Sequence, residues 1–269
     1  MSSSRIITLT TDFGTKDAYV AAIKGVMLQI AADLRFIDIS HHIAPQDVME
    51  AAFLLQTAVW EFPAGTVHLV VVDPGVGTDR RPVALRKDDH WFVGPDNGVF
   101  SLLLDGEEPD MLVEIDEERV QQHDRISTTF HGRDVFAPAA AILAAGASLS
   151  EIGEPSEELQ PLHWALPIPD EQGIRGWIVH VDHFGNSITN ISRELFEKHR
   201  CSREVTCYVG NGVLKGLHDT YGTVEKGEPL LLFGSSGYLE VAVNAGNAAS
   251  LLNIRKGNPV NVVFMDRSS

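Results

Sequence analysis

Residues 67–82, VHLVVVDPGVGTDRRP, carry the clearest structural signal in this chain of 269 residues. The run from Val67 to Val72 is almost entirely apolar and mostly β-branched, which is typical of a strand buried on both faces of a parallel sheet. Asp73 follows at the carboxyl end of this strand, where ligands of open α/β sheets gather, and the next glycines allow a backbone to approach a substrate closely. This stretch therefore predicts a central strand and a candidate site.

Arg80 lies seven residues after Asp73, across a Pro-Gly-Val-Gly loop. A tight loop could return its guanidinium to the carboxylate, and such a pair beside a cleft can hold a small polar nucleophile or an anion. A structural salt bridge beside a turn explains this stretch equally well. Both interpretations stay open at this point.

The segments before residue 67 predict an α/β domain. A strand pattern at 6–11 ends in Asp12, a helix pattern covers 17–34 with Asp17 as its N-cap, a strand pattern covers 36–39, and a second helix pattern covers 46–62. Alternating strands and helices favour a mainly parallel sheet flanked by helices. Asp12 and Asp73 should then share one edge of that sheet.

The segments after residue 82 extend this domain. They predict a hairpin at 83–86 and 90–93, a turn at 94–98 in which Asn97 caps a short helix, a strand at 111–115 and an Ala-rich helix at 135–145. His131 precedes that last helix, in a loop position that favours chemistry. A lone histidine in a loop is also compatible with an ordinary surface or capping role.

A change of pattern divides the chain in two. Residues 154–173 are rich in proline and acids, which predicts a linker between an N-terminal domain at 1–153 and a C-terminal domain at 174–269. Short alternating strands separated by Gly and Asn turns predict that the second domain is a smaller, mostly antiparallel β-barrel or sandwich. Its two polar loops, 182–190 and 233–238, could reflect turn chemistry alone.

The composition narrows the class of protein. The chain is 44% hydrophobic and carries a formal net charge of −16, which argues against nucleic acid as a partner because a phosphate backbone attracts clustered Lys and Arg. Cys201 and Cys207 suggest neither a disulfide framework nor a zinc site, and His41-His42 have no further ligands at metal-binding spacing. The absence of a signal-peptide pattern or a long apolar run predicts a cytoplasmic protein without a membrane partner.

Six motifs taken together resemble one family. They are TTDFG at 10–14, VVDPGVGTDRR at 71–81, GPDNG at 94–98, TTFHGRDVFAPAAA at 128–141, DHFGNSITN at 182–190 and SSGYLEVAVNAGNAA at 235–249. In this order they closely resemble the S-adenosylmethionine hydroxide adenosyltransferases, the wider family of the fluorinases and chlorinases. The resemblance implies an α/β domain followed by a β domain, and a homotrimer with the substrate between neighbouring subunits.

The resemblance also implies roles for individual residues. In the hydrolase branch an Asp-Arg-His triad holds and polarises water, and its members fall on Asp73, Arg80 and His131. The halogenase branch has tyrosine in place of that histidine and lacks the Asp-Arg pair. The resemblance therefore implies that the nucleophile is water and not a halide. The substrate-binding residues implied in the same way are Asp12, Asp17, Thr129, Phe130, Asp182, Asn186, Ser235, Asn247 and Ala248.

The chain departs from the fluorinases at two of these places. Ile188 stands where fluorinases have an aromatic residue, and Ser236 stands where they have arginine. Asp12 is implied to hold the ribose hydroxyls, Asp182 and Asn186 the methionine amino and carboxylate groups, and Asn247 the adenine. Packing around methionine and adenine should differ accordingly.

The expected activity is hydrolysis of S-adenosyl-L-methionine to adenosine and L-methionine, by attack of water at the ribose C5′. Neither a cofactor nor a metal is expected, since S-adenosylmethionine is the substrate itself. Two alternatives remain, a halide-using transferase on the same fold and a non-catalytic S-adenosylmethionine or adenosine binding protein. Two roles for the triad also remain: His131 as the general base, or Arg80 stabilising hydroxide while His131 orients it.

Overall fold

A computed structural model of the chain describes residues 5–122, 126–162 and 166–266. The chain divides into two compact units, Met1–His163 and Trp164–Ser269. Each unit has its own sheet and its own hydrophobic core. No helix in the described ranges is both long enough and apolar enough to cross a membrane.

The first unit is built on one sheet with helices around it. Its strands in the described part of the chain are β1 (Ile6–Thr11), β2 (Arg35–Ser40), β3 (Val67–Val71), β4 (Pro82–Lys87), β5 (His90–Pro95), β6 (Met111–Ile115) and β7 (Gly153–Pro155). Its α-helices there are α1 (Tyr19–Ile30), α2 (Val48–Ala58), α3 (Ser101–Leu104), α4 (Glu117–Val120), α5 (Ala137–Ala144) and α6 (Leu149–Ile152). A 3-10 turn at Val59–Glu61 and a π-helix at Gly132–Phe136 complete it.

The strand order is β2-β1-β3-β5-β4-β6-β7. Neighbours are parallel from β2 to β5, while β4 and β7 run against the others. Most strands therefore share one direction, and the predicted α/β domain with a mainly parallel sheet is confirmed.

Strand β3 is buried along its whole length, as the apolar run predicts. Leu69 and Val71 pack into the core that includes α1 and α5, and Val70 packs with Phe92 on the opposite face. In the pairing of β1 with β3, Thr11 lies opposite Val71. This register brings the residues that follow the two strands, Asp12 and Asp73, to the same edge of the sheet.

Three local predictions in this unit are wrong in detail. Helix α1 begins at Tyr19 with Ala18 as N-cap and has no capping side chain, so Asp17 is not its cap. Helix α3 has Phe100 as N-cap, and Asn97 does not cap it. The Ala-rich helix starts as a π-helix at Gly132, where the wider helical turn changes the direction of the side chains.

The second unit is almost wholly antiparallel. Its described strands are β8 (Ile168–Pro169), β9 (Gly173–Val181), β10 (Ser187–Ser192), β11 (Glu204–Val209), β12 (Gly212–Lys215), β13 (Pro229–Phe233), β14 (Tyr238–Val243) and β15 (Pro259–Met265). Helices α7 (Arg193–Arg200) and α8 (Ala248–Leu251) and a 3-10 turn at Tyr221–Thr223 connect them.

The order of these strands is β12-β11-β15-β9-β10-β14-β13, with β8 beside β9. The two ends of the sheet, β12 and β13, contact each other. The predicted mostly antiparallel β domain is confirmed, and because the sheet is nearly closed it is barrel-like, one of the two predicted forms. Residues 154–173, where the sequence predicts a linker, include most of β7 and the whole of β8; the domain boundaries at 153 and 174 stay predictions.

Candidate active site

Asp73 and Arg80 form a buried ion pair just beyond β3. Nε of Arg80 lies 2.9 Å from Oδ1 and 3.0 Å from Oδ2 of Asp73, and Nη2 of Arg80 also donates to Oδ2. The side chains are only 6% and 8% exposed. The guanidinium also stacks 4.9 Å from the centre of the Phe136 ring. The loop between the two residues thus brings them into an ion pair. The carboxylate of Asp73 and the ring of Phe136 together fix the orientation of the Arg80 guanidinium.

Arg80 also contacts His131. Its Nη2 lies 3.1 Å from Nδ1 of the histidine. A guanidinium has only hydrogen-bond donors, so Nδ1 accepts and the ring hydrogen resides on Nε2. The structure therefore brings together the three residues that the resemblance assigns to the triad, with Arg80 in the middle.

The loop that carries His131 packs against the loop that carries Arg80. Gly77 has φ +77°, and a Cβ placed on it would lie 2.7 Å from the carbonyl oxygen of Thr128. Only glycine fits both the backbone conformation and this close approach. The contact explains why the segment after Asp73 contains a glycine at this position.

Asp134, which the sequence did not single out, anchors the His131 segment from within. It is 3% exposed, accepts a hydrogen bond from the backbone N of Ser127 at 2.8 Å, and binds Nε of Arg133 at 2.6 Å. This hydrogen bond raises the pKa of Arg133. An acid at the third position after His131, directly before the apolar run that begins at Val135, was the available signal.

Asp12 is held by the segment that precedes α2. Its Oδ2 accepts from the backbone N of Gln46 at 2.8 Å, and Gln46 adopts the left-handed conformation with φ +66°. His41 supports the same loop, because its carbonyl accepts from Gly14 N at 2.7 Å and its Nδ1 lies 2.8 Å from Oγ1 of Thr11. The buried His41 is therefore a structural residue beneath the Asp12 loop.

Asn97 stabilises the end of the central strand. Its Nδ2 donates to the carbonyl of Val72 at 2.9 Å, next to Asp73, and its Oδ1 accepts from Val99 N at 3.2 Å. The prediction that Asn97 caps the short helix is wrong, because its side chain binds the backbone of Val72 and Val99 instead. Its amide fixes the residue before Asp73.

Several of these residues line one cavity of about 320 Å³. The lining residues implied by the family resemblance are Asp12, Asp73, Thr129, Phe130 and His131. Phe13 and Tyr19 add two aromatic rings, and the three ring centres of this cluster lie 5.3–5.9 Å apart. Asp17 is exposed and does not line this cavity.

In the second unit, Asp182 and Asn186 close the turn between β9 and β10. Oδ1 of Asp182 accepts from the backbone N of Asn186 at 2.8 Å, and its Oδ2 accepts from the Asn186 side chain at 2.9 Å. Asn247 packs against this turn, since a Cβ on Gly185 would overlap its amide. Asn247 also caps α8 by accepting from Ser250 N at 2.7 Å. Ala248 follows as a fully buried residue.

Ser235 lies exposed on the turn between β13 and β14, where Gly237 N donates to the Gly234 carbonyl at 3.1 Å. Ser236 follows it on the same turn and is half-buried. Ile188 lies on β10 directly opposite Glu240 of β14 and is 8% exposed. Of the two departures from the fluorinase pattern, Ser236 thus adjoins Ser235, and Ile188 lies two residues after Asn186.

Within the described residues, no group of three or more His, Cys, Asp and Glu side chains is arranged to hold a metal ion. The polar residues of the cavity are instead engaged with one another and with backbone groups. Two acids and an arginine-bound histidine at one cavity can bind a polar nucleophile beside an organic ligand.

Both parts of the sequence match domains of one family. Residues 7–153 match the SAM (S-adenosylmethionine) hydroxide adenosyltransferase N-terminal domain, and residues 176–261 match the C-terminal domain. This chain belongs to the SAM hydroxide adenosyltransferase family. The resemblance identified from the six motifs is thereby confirmed.

Other members of the family match over nearly the whole length. The chain is 40% identical to the (R)-S-adenosyl-L-methionine hydrolase of Salinispora tropica, over 97% of this chain and 99% of the relative. A fluorinase of an Actinoplanes species is 29% identical over 96% of this chain and 97% of the relative. The crystal structure of an uncharacterized conserved protein from Thermotoga maritima superposes with a TM-score of 0.89 at 36% identity, covering 96% of this chain and 99% of that chain. The hydrolase is thus the more similar of the two enzymes.

Proposed function

We propose that this protein hydrolyses S-adenosyl-L-methionine to adenosine and L-methionine. The observation that carries the proposal is the contact of Arg80 with both Asp73 and His131 at the cavity of the first unit. The similarity to named hydrolases supports it, and the lower identity to a fluorinase favours water over halide as the nucleophile. Because the similar hydrolases carry the (R) descriptor in their names, we expect the same sulfonium epimer to be preferred.

The reaction that we propose depends on the positioning of the nucleophile and needs no general acid for the leaving group. The sulfonium of the substrate leaves as the neutral thioether of methionine, so its departure needs no proton. Water attacks C5′, the C5′–S bond breaks as the C5′–O bond forms, and one proton is released to solvent. Alignment of the reacting atoms can supply about 7–11 kcal/mol of the lowered barrier.

We assign the triad roles from the direction of the hydrogen bonds. Nδ1 of His131 accepts from Arg80, so its lone pair is not free to take a proton from water. We infer that His131 donates to the attacking water through Nε2–H and so orients it. Asp73 accepts a hydrogen bond from the same water, and the charge of Arg80 stabilises hydroxide. Of the two roles that the sequence left open, this geometry favours the second.

The binding roles extend the proposal to both units. Asp12 would hold the ribose hydroxyls, with Thr129 and Phe130 beside the nucleoside, while Asp182, Asn186, Ser235, Asn247 and Ala248 would bind methionine and adenine. Asp17, the remaining residue of the first unit that the resemblance implies, lies outside the lining of this cavity. A homotrimer with substrate between subunits is a further proposal from the resemblance, and a cytoplasmic location is a further proposal from the sequence pattern; sedimentation and cell fractionation test them.

The experiment is to incubate purified protein with each sulfonium epimer in halide-free, oxygen-18 water and to weigh the products. Adenosine labelled at its 5′ oxygen, together with methionine, would establish solvent attack at C5′. Recovery of intact ligand bound to the protein would contradict the proposal and favour a binding protein. A halogenated nucleoside formed after chloride or fluoride is added would favour the halide alternative.

Variants connect that reaction to the triad. Asp73→Ala and His131→Ala should retain substrate binding and lose most turnover. Asp79→Asn is the matched control, because it changes an exposed acid in the same loop. Full turnover in both triad variants would refute the assignment.

A further inference from the structure

The GPDNG turn holds both ends of the loop at 73–80. At the start of this loop, Nδ2 of Asn97 donates to the carbonyl of Val72 at 2.9 Å. At its end, the backbone N of Asp96 donates to the carbonyl of Arg81 at 2.9 Å. Two consecutive residues of one turn therefore fix where the loop begins and where it ends.

The side chain of Asp96 strengthens the contact at the end of the loop. Its Oδ2 accepts from Nε of Arg81 at 3.1 Å and from Nη2 at 2.6 Å, and its Oδ1 accepts from the backbone N of Gln160 at 2.7 Å. The Asp96 side chain is 1% exposed, whereas that of Arg81 is 32% exposed. Both oxygens of a buried acid are thus engaged, and loss of the cation would leave its charge unpaired in the interior.

Arg80 and Arg81 are consecutive residues that bind different acids. Arg81 pairs with Asp96. Arg80 pairs with Asp73 and contacts Nδ1 of His131. Because adjacent Cα atoms are only about 3.8 Å apart, an anchored Arg81 limits where the Arg80 side chain can start. Asp96 lies outside the lining of the 320 Å³ cavity, so it is connected to the triad through the chain and not through the ligand.

Two structural roles are the alternatives for this ion pair. It could stabilise the fold alone, although a buried ion pair usually contributes no more to stability than apolar residues of similar volume. It could also anchor the chain that follows β7, because Nη1 of Arg81 donates to Oγ of Ser156 at 2.9 Å and its Nη2 donates to the carbonyl of Glu158 at 2.5 Å. Neither alternative requires an effect on the triad, and this difference can be measured.

We propose that Asp96 is a positioning residue of the triad. Acting through Arg81, it holds the Arg80 guanidinium in contact with its two partners. The inference rests on the proposed function and deepens it. The distance of 3.1 Å from Arg80 to Nδ1 of His131 is near the long end of the usual range, so a small displacement of the guanidinium breaks this hydrogen bond. Asp96 should therefore affect turnover and the hydrogen bonding of the His131 ring, but not the affinity for ligand.

The kinetic test compares Asp96→Asn with wild type on S-adenosyl-L-methionine. The variant keeps the size of the side chain and removes its charge, so Arg81 loses its ionic partner. We expect kcat to fall about 10- to 100-fold, as for a reacting group misplaced by up to about 1 Å. The calorimetric Kd of adenosine should change by less than about twofold, since no ground-state contact is removed. Glu157→Gln, which changes an exposed acid, is the matched control and should keep the wild-type kcat.

Two further variants identify the route of the effect. If Asp96 acts through Arg81, Arg81→Gln should lower kcat as much as Asp96→Asn, and the double variant should be no slower than either single variant. Ser156→Ala removes a contact with the chain after β7 and should leave kcat unchanged. Additive losses, a loss in Ser156→Ala as large as that in Asp96→Asn, or an unchanged kcat in Asp96→Asn would overturn the inference. If Asp96→Asn does not fold, Arg81→Gln removes the same ion pair from its partly exposed side and carries the same expectation.

The ring of His131 gives a readout that does not depend on turnover. In wild type its Nδ1 accepts from Arg80, which places the ring hydrogen on Nε2. Nitrogen-15 NMR of the histidine rings at about pH 8, where an ordinary histidine is neutral, should show this tautomer in wild type and a mixture of both tautomers in Asp96→Asn. The spectrum of His131→Gln assigns the signal. An unchanged His131 signal would overturn the inference even if kcat falls, and wild type without turnover would refute the proposed function while this signal still decides the role of Asp96.

Discussion

Arg80 donates to Asp73 and His131 at the same time, so one planar guanidinium fixes the positions of both side chains. An ammonium group cannot reproduce this fork, because it is a point charge on a flexible stem. Arg80→Lys should therefore lower kcat about 10²–10³-fold, the usual loss when one preorganised donor is removed from an active site.

Steady-state kinetics with labelled substrate would measure this loss. Arg86→Lys is the matched control, because Arg86 forms a more exposed pair with Asp89. KM should stay close to that of wild type, since the pair is not expected to hold the substrate itself. Equal kcat for the two lysine variants would show that the planar guanidinium of Arg80 is not required for turnover.

Gly77→Ala should reduce both stability and turnover. Its φ of +77° costs an alanine about 1–2 kcal/mol, and the new Cβ would push on the Thr128 carbonyl and displace the His131 segment. Gly106→Ala is a matched control with φ +83° and nothing within 4 Å of the new Cβ. Urea unfolding should show a loss in both variants that is larger in Gly77→Ala because of the clash with Thr128, whereas the kinetic assay should show a loss only in Gly77→Ala. A fully active Gly77→Ala would contradict the packing argument.

Asp12→Ala should weaken discrimination at the ribose. A hydrogen bond to a charged group contributes about 1.5–3 kcal/mol, so wild type should bind adenosine more tightly than 2′-deoxyadenosine by roughly one to two orders of magnitude. The variant should bind both nucleosides with similar inhibition constants. Glu108→Ala, an exposed acid outside the cavity lining, serves as control. Retained discrimination in Asp12→Ala would remove Asp12 from the ribose site.

His68 should make the protein less stable in acid. Burial, and then the charge of His90, lower the pKa of His68 to about 3. The unfolded chain, with a pKa near 6.5, binds a proton that the folded state does not, so the free energy of unfolding falls as the pH drops below about 6.5 and is fully retained above it. The slope from this residue approaches about 1.4 kcal/mol per pH unit toward pH 4.

Urea unfolding at pH 7.5, 6 and 5 measures that slope. His68→Gln should have a smaller pH dependence than wild type, although it should be less stable at pH 7.5 because Thr8 and His90 lose hydrogen-bond partners at 2.7 and 3.0 Å. His42→Gln, at an exposed position, should keep the wild-type slope. An identical slope in His68→Gln would rule out His68 as the source.

The sequence predicted the regular parts of the fold because local periodicity reflects burial. Strand β1 at Ile6–Thr11 and strand β6 at Met111–Ile115 have the predicted bounds, and the apolar run before Asp73 is the buried β3. Helix ends were less predictable. Helix α1 begins after Ala18 without a capping side chain, and the π-helix before α5 has no simple periodic signature.

Site contacts that join distant segments could not be deduced from local pattern. The spacing of Asp73 and Arg80 indicated a pair, but the contact of Arg80 with His131 spans 51 residues. Gln46, Asn97 and Asp134 act through backbone groups brought near by folding, and their residue types alone do not indicate this.

The placement of Asp12 and Asp73 on adjacent strands has a practical consequence for redesign. Asp12 follows β1, Asp73 follows β3, and His131 arrives on a third segment anchored by Asp134. Each can be exchanged by editing a connection while the strands beneath remain untouched. Laboratory evolution aimed at a new nucleophile can therefore randomise residues 74–76, 78–79 and 127–131 together, with Gly77 kept and the β1–β3 register as a constant frame.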